Sequence, residues 1–108
     1  MLFSSLALLF LWFPLIGDLS ISGIILGANA APVSGARVLL EQATTRQHWE
    51  ATTGPGGKFQ FDELDIGTYR VKVQSEGYFE VSTELRLESS KTVEFNLKEL
   101  KKLLKKHG

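Results

Sequence analysis

Imidazoles are the first groups to look for, and this 108-residue chain has two, His48 and His107, in unrelated segments. A zinc peptidase carries its ligands as His-Glu-x-x-His on one helix face, and no such pattern occurs. No serine stands in a Gly-x-Ser-x-Gly elbow, the strained turn that exposes a hydrolase nucleophile. Cysteine is absent, which removes thiol catalysis, Cys-type zinc sites, disulfides and lipid attachment through an N-terminal Cys. Asp62, Glu63 and Asp65 crowd one segment and could face a cation, although acidic loop residues are ordinarily just solvated. No metal and no cofactor are expected, and the chain reads as noncatalytic.

Binding chemistry is better represented. Trp49, beside His48, and the pair Tyr78-Phe79 are the aromatics that could stack on the face of a sugar ring. Each has a competing role in the core: Trp49 alternates with Ala51 and Thr53, and Tyr78 follows the Gly77 turn. The lysines Lys98, Lys101, Lys102, Lys105 and Lys106 form a second group. Set among Leu97, Leu100, Leu103 and Leu104, they give a basic amphipathic helical pattern suited to an anionic membrane or polymer. About ten residues are marginal as an isolated helix, so a frayed solubilising tail is the competing expectation.

The formal net charge is zero, which argues against a nucleic-acid partner. That balance hides an asymmetry. Residues 18–97 carry seven Lys or Arg against eleven Asp or Glu, while residues 98–108 carry five Lys and one Glu.

The elements that must position these groups read as strands. Ile21–Leu26, Ala36–Glu41, His48–Thr53, Lys58–Phe61, Thr68–Val73, Phe79–Leu87 and Val93–Leu97 are short and rich in β-branched or aromatic residues. Tyr69, Val71 and Val73 alternate with Arg70 and Lys72, the period of two that gives one buried and one wet face. Turn residues separate the strands: Asn29, Pro32 and Gly35, then Gly54-Pro55-Gly56-Gly57, then Glu88–Ser90. Seven such strands with no intervening helix predict an all-β sandwich or barrel over residues 19–97. Before it, the uncharged run MLFSSLALLFLWFPLI makes residues 1–18 a signal peptide or membrane anchor. Pro14 and Asp18 stop that run short of the ~20 apolar residues a membrane span needs. Cleavage falls around Gly17 to Ser20, and export to the cell envelope or beyond follows.

An ordered series of short motifs runs through the same region. It comprises Ile21-Ser22-Gly23, Ala31-Pro32-Val33-Ser34-Gly35-Ala36-Arg37-Val38, Thr52-Thr53, Gly57-Lys58-Phe59-Gln60-Phe61, Leu64, Gly67-Thr68-Tyr69 and Glu76-Gly77-Tyr78. The series resembles the carboxypeptidase regulatory-like domain, found beside metallocarboxypeptidases and in secreted bacterial proteins, and the resemblance implies its fold: an all-β, seven-stranded antiparallel Greek-key sandwich of the prealbumin-like (transthyretin-like) kind. The resemblance implies a fold rather than an activity. It implies that Gly35, Gly67, Pro32 and Tyr69 shape turns and core, with the Tyr69 hydroxyl reaching backbone at a sheet corner. The prealbumin-like fold also includes 5-hydroxyisourate hydrolase, which ends in Tyr-Arg-Gly-Ser; here Tyr69-Arg70 lies mid-chain before Val71. Related surface adhesins form Lys–Asn isopeptide links, and Ile21–Leu26 offers no lysine for Asn96. The expected function is a structural or protein-interaction module, with carbohydrate binding through Trp49, Tyr78 or Phe79 as the alternative and a transthyretin-like hydrolase as a remote one.

Overall fold

The computed structural model describes residues 17–100, which form two packed β-sheets. The strands are β1 (Leu19–Leu26), β2 (Arg37–Gln42), β3 (His48–Thr52), β4 (Lys58–Leu64), β5 (Gly67–Gln74), β6 (Val81–Leu87) and β7 (Lys91–Asn96). One sheet is three-stranded in the order β4-β1-β7, the other four-stranded in the order β3-β2-β5-β6. Every expected strand is present, with no end moved by more than three residues.

The antiparallel expectation needs one correction, because β1 and β7 pair in parallel. The cause is parity. Each short connection reverses the chain, so all odd-numbered strands run one way and all even-numbered strands the other. The pairs β1–β4, β2–β3, β2–β5 and β5–β6 join odd to even and are antiparallel. Only β1 and β7 are odd neighbours. Parity also sorts the loops: the chain before β1 and the turns 43–47, 65–66 and 88–90 meet at one end. The segments 27–36, 53–57, 75–80 and 97–100 meet at the other.

Side chains alternate as the sequence dictates. Ile21 and Ile25 of β1, Val38 and Leu40 of β2, Phe59, Phe61 and Leu64 of β4, and Tyr69, Val71 and Val73 of β5 fill the space between the sheets. Gly23 sits on the same inward face, and a Cβ there would lie 2.6 Å from the Phe59 ring, which lies across it. Burying such side chains contributes about 1.5–3 kcal/mol each against conformational entropy.

The end formed by segments 27–36, 53–57, 75–80 and 97–100 is stitched by backbone. The buried Thr53 hydroxyl donates to the Val33 carbonyl at 2.6 Å and accepts from the Ala36 N–H at 2.9 Å. Gly57, at φ +72°, accepts from the Ile25 N–H, and a Cβ on it would press to 2.7 Å from the Ile25 carbonyl oxygen. Glycine is required there.

A second correction concerns the start of the basic tail. Residues 98–100 are not the helix expected from Lys98. Leu97 is buried and its N–H donates to the Leu26 carbonyl, Phe79 N–H donates to Lys98, and Leu100 N–H donates to Gly77. Burial of Leu97 prolongs β-type pairing beyond β7 and commits these groups across the fold instead of along a helix. The expected leader, residues 1–16, and most of the expected tail, residues 101–108, lie outside the described residues. Among the described residues no helix is long and apolar enough to cross a membrane.

Candidate functional site

The three aromatics singled out as sugar contacts do not share a face. Trp49 sits at the start of β3, at the end of the sandwich where β1, β5 and β7 also begin. Tyr78 and Phe79 lie at the opposite end. Tyr78 is half-buried, packs on the core and places its hydroxyl against Gly27, as a structural residue does. Phe79 is 40% exposed beside Gly27, Leu97 and Lys98 in a shallow, mainly apolar groove. Lys98 is exposed; Lys101, Lys102, Lys105 and Lys106 lie outside the described residues.

Trp49 is half-buried, and the reason lies beneath it. Its indole packs at 55° on the Tyr69 ring, with centroids 5.9 Å apart, and Tyr69 is wholly buried. The Tyr69 hydroxyl in turn donates to the Asp65 carbonyl at 2.8 Å, the sheet-corner contact the sequence suggested. Burial, and then the nearby Asp65 charge, raise the Tyr69 phenol above its ordinary pKa. One residue therefore fixes both the indole and the acidic loop.

Between them lies a cleft of about 260 Å³ lined by Gly17, Gln42, Gln47, Trp49, Asp62, Glu63, Asp65 and Tyr69. The acidic side of this cleft is shaped by a register shift. Ile21 pairs with Phe61 but Leu19 pairs with Leu64, so β4 carries an extra residue and Glu63 adopts φ 57°. A bulge of this kind re-aims side chains at a strand end. Gln60 Nε2 donates to Asp62 at 2.8 Å, whereas no ion pair reaches Asp62, Glu63 or Asp65 among the described residues. No three acidic or imidazole side chains among the described residues converge closely enough to hold a metal ion. Gln42 is 7% exposed; its Oε1 accepts from Thr45 Oγ1 at 2.9 Å, and its Nε2 has no hydrogen-bond partner among the described residues.

His48 lies on the outer face of the four-stranded sheet, in a shallow depression over Leu39 with Arg70 and Lys72. Its Nδ1 stands 4.0 Å from Glu41, which also meets Arg46 at 3.4 Å. With 73% of the His48 side chain exposed, water screens this pair, and no serine or threonine lines the depression to serve as nucleophile.

Sequence reasoning found Trp49, Tyr69 and the three carboxylates separately but missed Gln42, Gln47 and the meeting of all these groups. The available signal was strand parity, which sends the β2–β3 turn and the β4–β5 turn to one end.

Solved structures with this architecture include a catechol 1,2-dioxygenase from an Acinetobacter species, at TM-score 0.62 and 10% identity, over 78% of this chain and 53% of that one. A putative carbohydrate binding protein from Bacteroides uniformis matches at TM-score 0.60 and 19% identity, over 75% of this chain and 41% of that one. The group B streptococcus pilus 2b backbone protein matches at TM-score 0.62 and 20% identity, over 81% of this chain and 43% of that one. At such identities the likeness shows the fold alone, and the chain spans about half the length of these structures or less. No curated protein matches the chain. The family model for the carboxypeptidase regulatory-like domain covers residues 20–98, the span of the motif series and of all seven strands but for Leu19. The chain belongs to the carboxypeptidase regulatory-like domain family.

Proposed function

We propose that this chain is a noncatalytic, exported accessory domain that works as an interaction module, pairing with an extended segment of another protein. The observation that carries this reading is a mismatch in width. Four strands face three, so β6 overhangs the smaller sheet. Val81 and Leu85 of β6 and Val93 of β7 are half-buried and Thr83 is exposed, although all four follow the inward-facing register. One strand added beside β7 would make the sheets equal and cover β6. Among the described residues no strand pairs with the outer edge of β7, and that edge supplies the backbone donors and acceptors for it. Export is inferred from the uncharged apolar run at residues 1–16. A noncatalytic role agrees with the exposed His48 and the buried, engaged Tyr69. The test is capture of a defined envelope protein by the intact chain and by Leu85→Lys. The variant should lose the partner, and equal capture would overturn the reading.

A second reading, glycan binding, is favoured by the Trp49 cleft, where an anchored aromatic stands beside amides and carboxylates. That is the side-chain set sugar recognition uses: a ring for the C–H face and polar groups for hydroxyls.

A further inference from the structure

Resting on the glycan reading, we infer that the Trp49 cleft binds a pyranose that carries a protonated amino group. Three features of the cleft each restrict the ligand. The first is the indole, which Tyr69 holds in place so that little ordering is needed on binding. A flat apolar partner is required, and a cleft of about 260 Å³ has room for a single sugar ring.

The second feature is Gln42. The residue is 7% exposed, its Oε1 is occupied by Thr45, and its Nε2 has no hydrogen-bond partner among the described residues. No buried side-chain nitrogen or oxygen among the described residues lacks a hydrogen bond, so this Nε2 is open to water in the cleft, where it offers a donor to a ligand oxygen. A lysine or arginine side chain could stack on the indole, but it brings donors alone and makes no use of Nε2. Sugar hydroxyls donate and accept.

The third feature is charge. No cation neutralises Glu63 or Asp65 among the described residues, and Asp62 is met by a neutral amide. A uronic acid would be repelled, a neutral sugar tolerated and an ammonium group attracted. Two partly exposed charge contacts correspond to about a tenfold preference.

Isothermal titration of the intact chain with five probes tests this: trimers of β-1,4-linked glucosamine, N-acetylglucosamine, glucose and galacturonate, and trilysine. The glucosamine trimer should bind about tenfold more tightly than the neutral trimers, and that advantage should shrink in 0.5 M salt, roughly the range where screening lengths fall below 5 Å. Trp49→Ala should abolish sugar binding and Trp49→Phe restore part of it, with circular dichroism verifying that both variants fold. In the double variant Glu63→Gln, Asp65→Asn the ratio of glucosamine to glucose affinity should fall towards one. Equal, Trp49-dependent affinity for glucosamine and glucose trimers would overturn the amino-sugar inference and leave glycan binding standing. No sugar binding by the folded chain would overturn both. Trilysine binding as tightly as the glucosamine trimer would replace the sugar with a basic peptide.

Discussion

The two ends of the sandwich solve the same problem by opposite means. Where segments 27–36, 53–57, 75–80 and 97–100 meet, backbone meets backbone: Gly57 with Ile25, Ile25 with Val33, Leu26 with Leu97, and Gly77 with Leu100. Thr53 adds the one buried hydroxyl that joins two of these loops. At the Trp49 end the turns are shorter and, among the described residues, fewer backbone groups cross between them, so side chains make the connections. Trp49 leans on Tyr69, Tyr69 holds Asp65, and Gln42 holds Thr45 while leaving a donor unused. A loop end closed by backbone has little chemistry to offer a ligand. One closed by side chains leaves amides, an indole and carboxylates facing a cleft.

Substitutions can break or sharpen this contrast. The largest effect belongs to Tyr69, which serves both the core and the cleft. Tyr69→Ala should cost about 3–5 kcal/mol in urea denaturation, as for other buried aromatics reduced to alanine. In a domain of some 80 residues, whose total stability is modest, that loss leaves a substantial unfolded fraction at 37 °C. Next comes Thr53→Val, which keeps the shape but strands the Ala36 N–H and the Val33 carbonyl. A cost of about 1–3 kcal/mol is expected with sugar binding unchanged; a loss of binding would show that the ends are coupled.

Tyr69→Phe removes the bond to Asp65 alone and should cost about 0.5–1.5 kcal/mol. It also carries a pH signature. The folded-state phenol titrates above its unfolded value, so its contribution is full below about pH 10 and is lost as pH rises through the folded value. The alkaline fall in stability should therefore be shallower in Tyr69→Phe. The smallest effect is at Arg37 and Glu50, paired at 3.0 Å on the exposed face of the four-stranded sheet. Their hydrogen bond holds the Glu50 carboxyl below its ordinary pKa. Any stabilisation is present above the ordinary carboxylate range and is lost as pH falls through the depressed value. Glu50→Gln should leave the neutral-pH midpoint where it is, because both partners are about half exposed.

Much of the fold was legible because alternation and turn chemistry are local. Tyr69-x-Val71-x-Val73 displays its buried face in five residues, and Gly54-Pro55-Gly56-Gly57 can hardly be anything but a turn. The pairing of β7 with β1 was not legible, since no local pattern tells which sheet a strand joins after crossing over. The tail misled for a related reason. Leucines at helical spacing describe residues 97–104 as an isolated segment, yet the core takes Leu97 and the loop at 77–79 takes the next backbone groups. Tertiary pairing overrode local period. The cleft was invisible for a third reason: Gln42 is an unremarkable strand-end residue in sequence and gains its meaning from lining the cleft beside residues of other strands and turns.

The parallel pairing of β1 with β7 has a mechanical consequence. The chain enters β1 at one end of the domain and leaves after β7 at the other, and the two strands lie side by side with six residue pairs in register. Tension applied through residues 17 and 100 would act along these strands, in opposite senses. Their ladder would be loaded in shear, with all its bonds strained together, rather than unzipped from one end bond by bond. A domain strung between an anchored neighbour and a bound partner would thus hold its shape under pull.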